Sequence, residues 1–176
     1  MEVKIIEAST TDYIEVNRIV REGHEEHVEG DRSIFRSVET VMPEDYYNEL
    51  LKNDNSKIFI AKLEEETVGF AIISLEVSPP FPSLVSRNYA YIHDFGVDQK
   101  KKRRSIGSKL FERCIQWSEE KNVTSVELNV WEFNEDALAF YEKQGMKAIS
   151  RRMRIDIKYL FSSRWEGGKM NFGGDK

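Results

Sequence analysis

The chain has 176 residues, a formal charge of −5, 40% hydrophobic and 32% charged side chains. That is enough for one domain with its own core, and too acidic overall for a dedicated nucleic-acid binder, which needs clustered positive charge to neutralise phosphates. No stretch approaches the roughly 18 consecutive apolar residues of a membrane span, so neither nucleic acid nor membrane is expected as a partner.

The opening MEVKIIEAST lacks the basic region, apolar core and cleavage site of a secretory signal, and Cys114 is the single cysteine. No internal disulfide can form, and a reducing, cytoplasmic setting is the expectation. Val3 and Ile5 read as a short first strand that exits at Ala8 and Ser9. A helix follows over residues 12–26, with Tyr13, Val16, Ile19 and Val20 along one face. Residues 24–43 lose that periodicity and read as a loop or irregular helix, the kind of segment that builds an acceptor pocket. Pro43 starts a second helix to Leu51, with Tyr46, Leu50 and Leu51 as its apolar contacts.

Residues 57–63 and 67–77 are strand-rich runs joined by the polar turn Glu64-Glu65-Glu66, a hairpin. The prolines at 79, 80 and 82 make residues 78–86 a loop, because proline supplies no ladder donor. Residues 88–97 form the next strand, and Ile106, Leu110, Cys114 and Trp117 space a helix over 106–121. Val126, Leu128 and Val130 alternate within a strand over 125–130. Asn134 resembles a helix cap, Ala137, Leu138, Phe140 and Tyr141 give the helix its apolar body, and Gly145 stops it. Ile149, Met153, Ile155 and Ile157 pattern a last long strand over 146–159. The order β-α-α-β-β-β-α-β-α-β predicts an α/β domain, residues 1–160, around a mixed sheet. Residues 161–176 read as a tail, docked through Phe161, Trp165 and Phe172 or mobile.

The segment YIHDFGVDQKKKRRSIGSKL, residues 91–110, carries the most chemistry. A strand feeds the basic run Lys100-Lys101-Lys102-Arg103-Arg104, and an apolar helix begins at once. Such a run is commonly solvated surface. At a helix N-terminus, however, exposed amides and positive charge together make an anion site, and Gly107 lets a ligand approach closely. The series of glycines of a dinucleotide-binding fingerprint and the G-x-x-x-x-G-K-[ST] of a P-loop are both missing here.

This segment resembles the pyrophosphate loop of the GNAT N-acetyltransferase family, in which a strand-end Val is followed by Gln/Arg-x-x-Gly-x-Gly/Ala. Val97, Lys102, Ser105 and Gly107 fall at the corresponding positions, with Lys for Gln/Arg and Ser for the first glycine. The later segment LNVWEFNEDALAFYEKQGMK resembles the family's second signature through Asn134, Ala137, Phe140, Tyr141, Gly145 and Met146. The resemblance covers about residues 3–157. It implies a mixed central sheet flanked by helices, with a split between two diverging strands, those ending at Val97 and Val130, where acetyl-CoA lies. The implied coenzyme contacts are Phe95, Gly96 and Val97 through strand backbone, Lys102, Arg103, Arg104, Ser105, Ile106, Gly107 and Ser108 around the pyrophosphate, and Asn134 and Tyr141 from the next helix.

The resemblance also assigns Tyr141 the protonation of the departing thiolate, against the plainer reading of a packed aromatic with a satisfied hydroxyl. His93 and Asp94 stand where amine-acetylating relatives carry Glu-Asp, so the base is open between His93, Asp94 and a water. Adjacent strand residues face opposite sides unless a bulge intervenes. HEEH at 24–27 puts its second histidine three residues after the first rather than four, and no metal is expected. Glu25, Glu26, Glu29 and Asp31 form an acid-rich patch that favours a cationic acceptor, beside the reading of ordinary polar surface. The expected activity is acetyl transfer from acetyl-CoA to a primary amine of a small cationic molecule, by direct attack in a ternary complex. Acetylation of proteins or peptides, and a catalytically weak acyl-CoA-binding regulator, are the alternatives; a homodimer is among the expected assemblies.

Overall fold

Residues 58–61 and 67–73 are buried almost without interruption, the mark of strands covered on both faces rather than one. The computed structural model describes residues 2–101 and 105–157. Lys102, Arg103 and Arg104, and the tail readings at Phe161, Trp165 and Phe172, lie outside those residues. The strands are β1 (Val3–Glu7), β2 (Ser56–Leu63), β3 (Glu66–Val77), β4 (Asn88–Val97) and β5 (Val126–Leu128). They form a single sheet in that order, antiparallel from β1 to β4, with β4 and β5 parallel. Helices α1 (Tyr13–Gly30), α2 (Glu44–Lys52), α3 (Ile106–Glu120) and α4 (Glu135–Lys143) complete the domain.

The two-residue strand period sorts the core into two layers. Phe59, Ala61, Ala71, Ile73, Ala90 and Ile92 face Ile106, Leu110, Cys114 and Trp117 of α3. Ile58, Ile60, Phe70 and Ile72 face Val16, Ile19 and Val20 of α1 and Tyr47 of α2. Helix α2 therefore turns Tyr47 inward, with its hydroxyl donating to the Ser9 carbonyl at 2.8 Å, while the expected contact Tyr46 is exposed. Helix α1 continues four residues past its predicted end, because buried Val28 and the ring contacts of His24 and His27 with Phe35 reward further turns. Gly145 adopts φ +91° just past α4, the left-handed geometry that ends a helix at little cost to glycine.

Two strand expectations need correction. β5 holds only residues 126–128 of the predicted 125–130, paired with Ala90–Ile92. Beyond Ile92 strand β4 runs on without it, and this is the split in the sheet. The predicted strand over 146–159 is not formed across its described part: residues 146–156 have no regular structure, and Ile149, Met153, Ile155 and Ile157 are exposed. The alternation is present, but nothing among the described residues pairs with it.

Candidate active site

A cavity of about 680 Å³ opens at the split. Its wall includes Asp94, Phe95, Gly96 and Val97 of β4, Ser105, Ile106, Gly107 and Ser108 at the start of α3, and Asn134, Ala137, Phe140 and Tyr141 of α4. Every described residue singled out from the sequence as a candidate catalytic or coenzyme contact is there except His93, whereas of the acid-rich patch only Glu26 lines it and Glu25, Glu29 and Asp31 do not. Phe70 and the α1 residues Ile19, Val20, Glu22, Gly23, His24, Glu26 and His27 close the other side. Of these, the sequence pointed only to the segment around His24; the rest of the α1 face looked like ordinary core and surface.

The bulge in β4 decides which acid or base reaches the cavity. Ile72 pairs with Asp94 and Ile73 with Ile92, leaving His93 as the extra residue. Asp94 is thereby placed on the Ile72 face, toward α1, whereas strict alternation from Ile92 would have turned it toward α3. The His93 imidazole instead meets Ser74 Oγ at 2.7 Å and lies 3.7 Å from a Glu76 carboxylate oxygen, outside the cavity wall.

Burial pushes the Asp94 carboxyl up from 3.8 to about 6, only partly offset by the Phe95 N–H that it accepts at 2.9 Å. A carboxyl whose pKa is raised by folding destabilises the fold where it must ionise. The penalty is absent below pH 4, grows as pH rises toward 6, and is complete above it. Asp94→Asn keeps an acceptor for Phe95 N–H and removes the charge. It is expected to be more stable than the parent at pH 8, by at most ~3 kcal/mol for a shift of this size, and equal to it near pH 4. Urea unfolding at the two pH values measures this; equal stability at pH 8 would refute the strained carboxylate.

Tyr141 has its ring fixed by Phe95, Phe111 and Phe140, at centroid separations of 6.1, 6.2 and 5.2 Å. Among the described residues its hydroxyl has no hydrogen-bond partner, so the ring is packed while the polar end is left for the cavity. Burial first, and the Asp94 carboxylate second, hold the phenol above its ordinary pKa, and it keeps its proton at neutral pH. Asn134 does cap α4, accepting from Ala137 N–H at 3.1 Å, and lines the cavity as well.

Among the described residues, the start of α3 is a set of backbone donors without partners. Its first helical bond runs from Lys109 N–H to the Ser105 carbonyl, and the amides of Ile106, Gly107 and Ser108 have no described partner. Ser105 sits at φ +59° without capping by its side chain, a left-handed serine at a cost of about 1 kcal/mol. A Cβ on Gly107 would stand 3.2 and 3.4 Å from the Phe140 ring, so a side chain there must push α3 from α4 or fill the cavity. Amides, helix dipole and an absent side chain together could hold a phosphate group.

One support was not legible in the sequence. Arg18 binds Glu22 at 2.8 Å, buried Asp98 at 2.9 Å and the Thr67 carbonyl at 3.2 Å. It ties α1 to the end of β4, so two walls of the cavity share one anchor. The i,i+4 spacing of Arg18 and Glu22 was the available signal; their link to Asp98 is purely spatial. His27 stacks on Phe35 at 5.2 Å, and burial followed by neighbouring His24 lowers its pKa, leaving a neutral imidazole at the cavity. Among the described residues no group of three or more His, Cys, Asp or Glu could hold a metal, and no helix is long and apolar enough to cross a membrane.

Residues 24–146 match the sequence profile of the family described as "Acetyltransferase (GNAT) family". The crystal structure of a point mutant of a Bacillus halodurans protein superposes with a TM-score of 0.85 at 31% identity, over 87% of this chain and 98% of that one. An aminoglycoside acetyltransferase from an uncultured soil metagenomic sample, solved with sisomicin, shares the fold at TM-score 0.67 and 22% identity, over 88% and 94%. An uncharacterized N-acetyltransferase of Lactobacillus delbrueckii subsp. lactis is 26% identical over 87% of this chain and 89% of its own length. With an uncharacterized N-acetyltransferase of Methanocaldococcus jannaschii the identity is 28%, over 58% of this chain and only 44% of that longer protein.

Proposed function

The chain belongs to the acetyltransferase (GNAT) family, and from that membership we propose that it moves the acetyl group of acetyl-CoA to a primary amine of a small cationic molecule, by direct attack in a ternary complex. The observation that carries the proposal is the meeting of Asp94 and Tyr141 in one cavity with the free amides of α3. Ile106, Gly107 and Ser108 would hold pyrophosphate oxygens, joined by Lys102, Arg103 and Arg104. The stretch of β4 at Phe95, Gly96 and Val97, paired with β3 but no longer with β5, would align the pantetheine arm.

Asp94 takes a proton from the attacking amine, directly or through water. A carbon–nitrogen bond forms at the acetyl carbonyl, the thioester carbon–sulfur bond breaks, and Tyr141 returns a proton to the departing sulfur. Transfer through a cysteine is disfavoured. Cys114 is fully buried on the sheet-facing side of α3, and burial pushes its thiol up to about 12. Glu22, Glu26, Asp94 and Asp136 contribute acidic groups to the wall, against the single Lys143 among its described residues, a balance that favours a cationic acceptor. The shared fold with an aminoglycoside acetyltransferase is consistent with that class.

The test is release of CoA thiol against polyamines, aminoglycosides, amino acids and peptide N-termini. Turnover is expected with the polycationic small molecules, with kcat/KM rising through pH 6 as Asp94 ionises. Turnover confined to peptides would transfer the reading to protein acetylation. Acetyl-CoA binding without transfer to any amine would leave a regulator, a reading that the strained Ser105 favours.

A further inference from the structure

The inserted residue in β4 brings two polar side chains to a place where the sheet has room for one. Ile92 pairs with Ile73 and Phe95 with Ala71, and all four pack in the core layer under α3. Between them β4 carries His93 and Asp94, where β3 offers only Ile72. The packing of Ile92 and Phe95 on the same side therefore dictates that a bulge forms here. It does not dictate which of the two polar residues stands opposite Ile72 and which is the extra one.

Side-chain bonding makes that choice. The His93 imidazole Nε2 lies 2.7 Å from Ser74 Oγ, and the Ser74 hydroxyl donates to a Glu76 carboxylate oxygen at 2.8 Å. A serine hydroxyl has one proton. Given to Glu76, it leaves Oγ to accept the proton of Nε2, so the three groups form one chain from imidazole to carboxylate, and that nitrogen is closed to an amine. Tyr91, the partner of Ser74 across the strands, sets its ring against the imidazole at 5.0 Å. His93 is thus fastened to β3 two residues beyond Ile72. Among the described residues Asp94 binds only the N–H of Phe95, its own neighbour, a contact that moves with β4 and does not fix it to β3.

We infer that His93 is a positioning residue, whose bond to Ser74 keeps Asp94 opposite Ile72 and so in the cavity with Tyr141. Released from Ser74, the two residues can exchange places in the bulge, and the carboxyl leaves the wall. The catalytic consequence rests on the proposed role of Asp94 in taking the proton; the anchor itself does not.

Titration of the Asp94 carboxyl, followed by its carbon-13 resonance and assigned by its loss in Asp94→Asn, tests the anchor, beside the pH profile of kcat/KM on an acceptor established by the CoA-release panel. In the parent the midpoint is expected at about 6. Glu22, His24, Glu26 and His27 of α1 and Asp136, Tyr141 and Lys143 of α4 are the titratable groups on the same wall, and the anchor variants keep them all. His93→Ala removes the imidazole. Ser74→Ala keeps it and removes the oxygen that it binds. Both, with parental circular dichroism, are expected to lower the midpoint by about one unit toward 3.8 as the carboxyl gains water, and to lower kcat/KM about tenfold. His93→Gln, whose amide can donate to Ser74, is expected to keep both near the parental values. A midpoint unmoved in His93→Ala and in Ser74→Ala overturns the proposal. So does a His93→Gln protein with the parental midpoint and the activity loss of His93→Ala, the sign of an imidazole acting in the chemistry itself. Full turnover by Asp94→Asn would overturn the proton role of Asp94 instead, and the midpoint would still decide the anchor.

Discussion

Tyr141→Phe is expected to lower kcat by about 100-fold while acetyl-CoA affinity changes less than about threefold, the range in which a positioned acid contributes. The ring is held by Phe95, Phe111 and Phe140 whether or not it bears a hydroxyl, so phenylalanine keeps the packing. Only the proton donor is lost. The hydroxyl has no described protein partner, so its removal leaves no acceptor orphaned and stability should hold. Because the leaving sulfur needs its proton most at high pH, the defect should be smallest toward acid, where solvent supplies protons. Steady-state kinetics on an acceptor established by the panel, with calorimetric acetyl-CoA binding, separates kcat from affinity. Unchanged kcat would remove Tyr141 from the chemistry and leave it a wall residue.

Gly107→Glu should weaken acetyl-CoA binding by about 1,000-fold. The new Cβ alone meets Phe140 at 3.2 Å, and the rest of the side chain has the cavity as its way out. There it sets a carboxylate among the amides of Ile106, Gly107 and Ser108 and takes the place of the ligand's own negative charge. Losing two charge-assisted hydrogen bonds at about 2 kcal/mol each accounts for a change of this order. Gly107→Ala is the control for bulk: Phe140 need give only a few tenths of an ångström, and a loss nearer tenfold is expected. Calorimetry on variants with parental circular dichroism measures both. Near-normal affinity in a folded Gly107→Glu protein would move the phosphate site away from α3.

The side of the cavity formed by the end of β4, the start of α3 and α4 was largely legible because it is written in contiguous residues. Val97, Ser105 and Gly107 lie on one strand–turn–helix unit, and Asn134 through Gly145 on one capped helix, so local spacing carries their geometry. The other side was not. Glu22 of α1 and Phe70 of β3 come from elements far apart in sequence, and each also fits an ordinary role in a helix face or a core. His93 shows the limit most clearly. Its residue type suits a base near neutral pH, yet its imidazole is bonded to Ser74 outside the cavity. The segment 146–159 marks another limit, for its alternation predicts a strand that residues 146–156 do not form.

The sequence by itself determined the class of fold and most of the elements, since hydrophobic period, caps and breakers are local properties of the chain. Tertiary structure alone decided that β5 stops at Leu128 and opens the split, that one inserted residue in β4 turns Asp94 toward α1, and that Arg18 joins α1 to Asp98. The physical reason is shared by all three. Strand register, burial and ion pairing are relations between distant segments, and a sheet's side-chain direction reverses with every residue, so a single bulge reassigns a site that local pattern had left open.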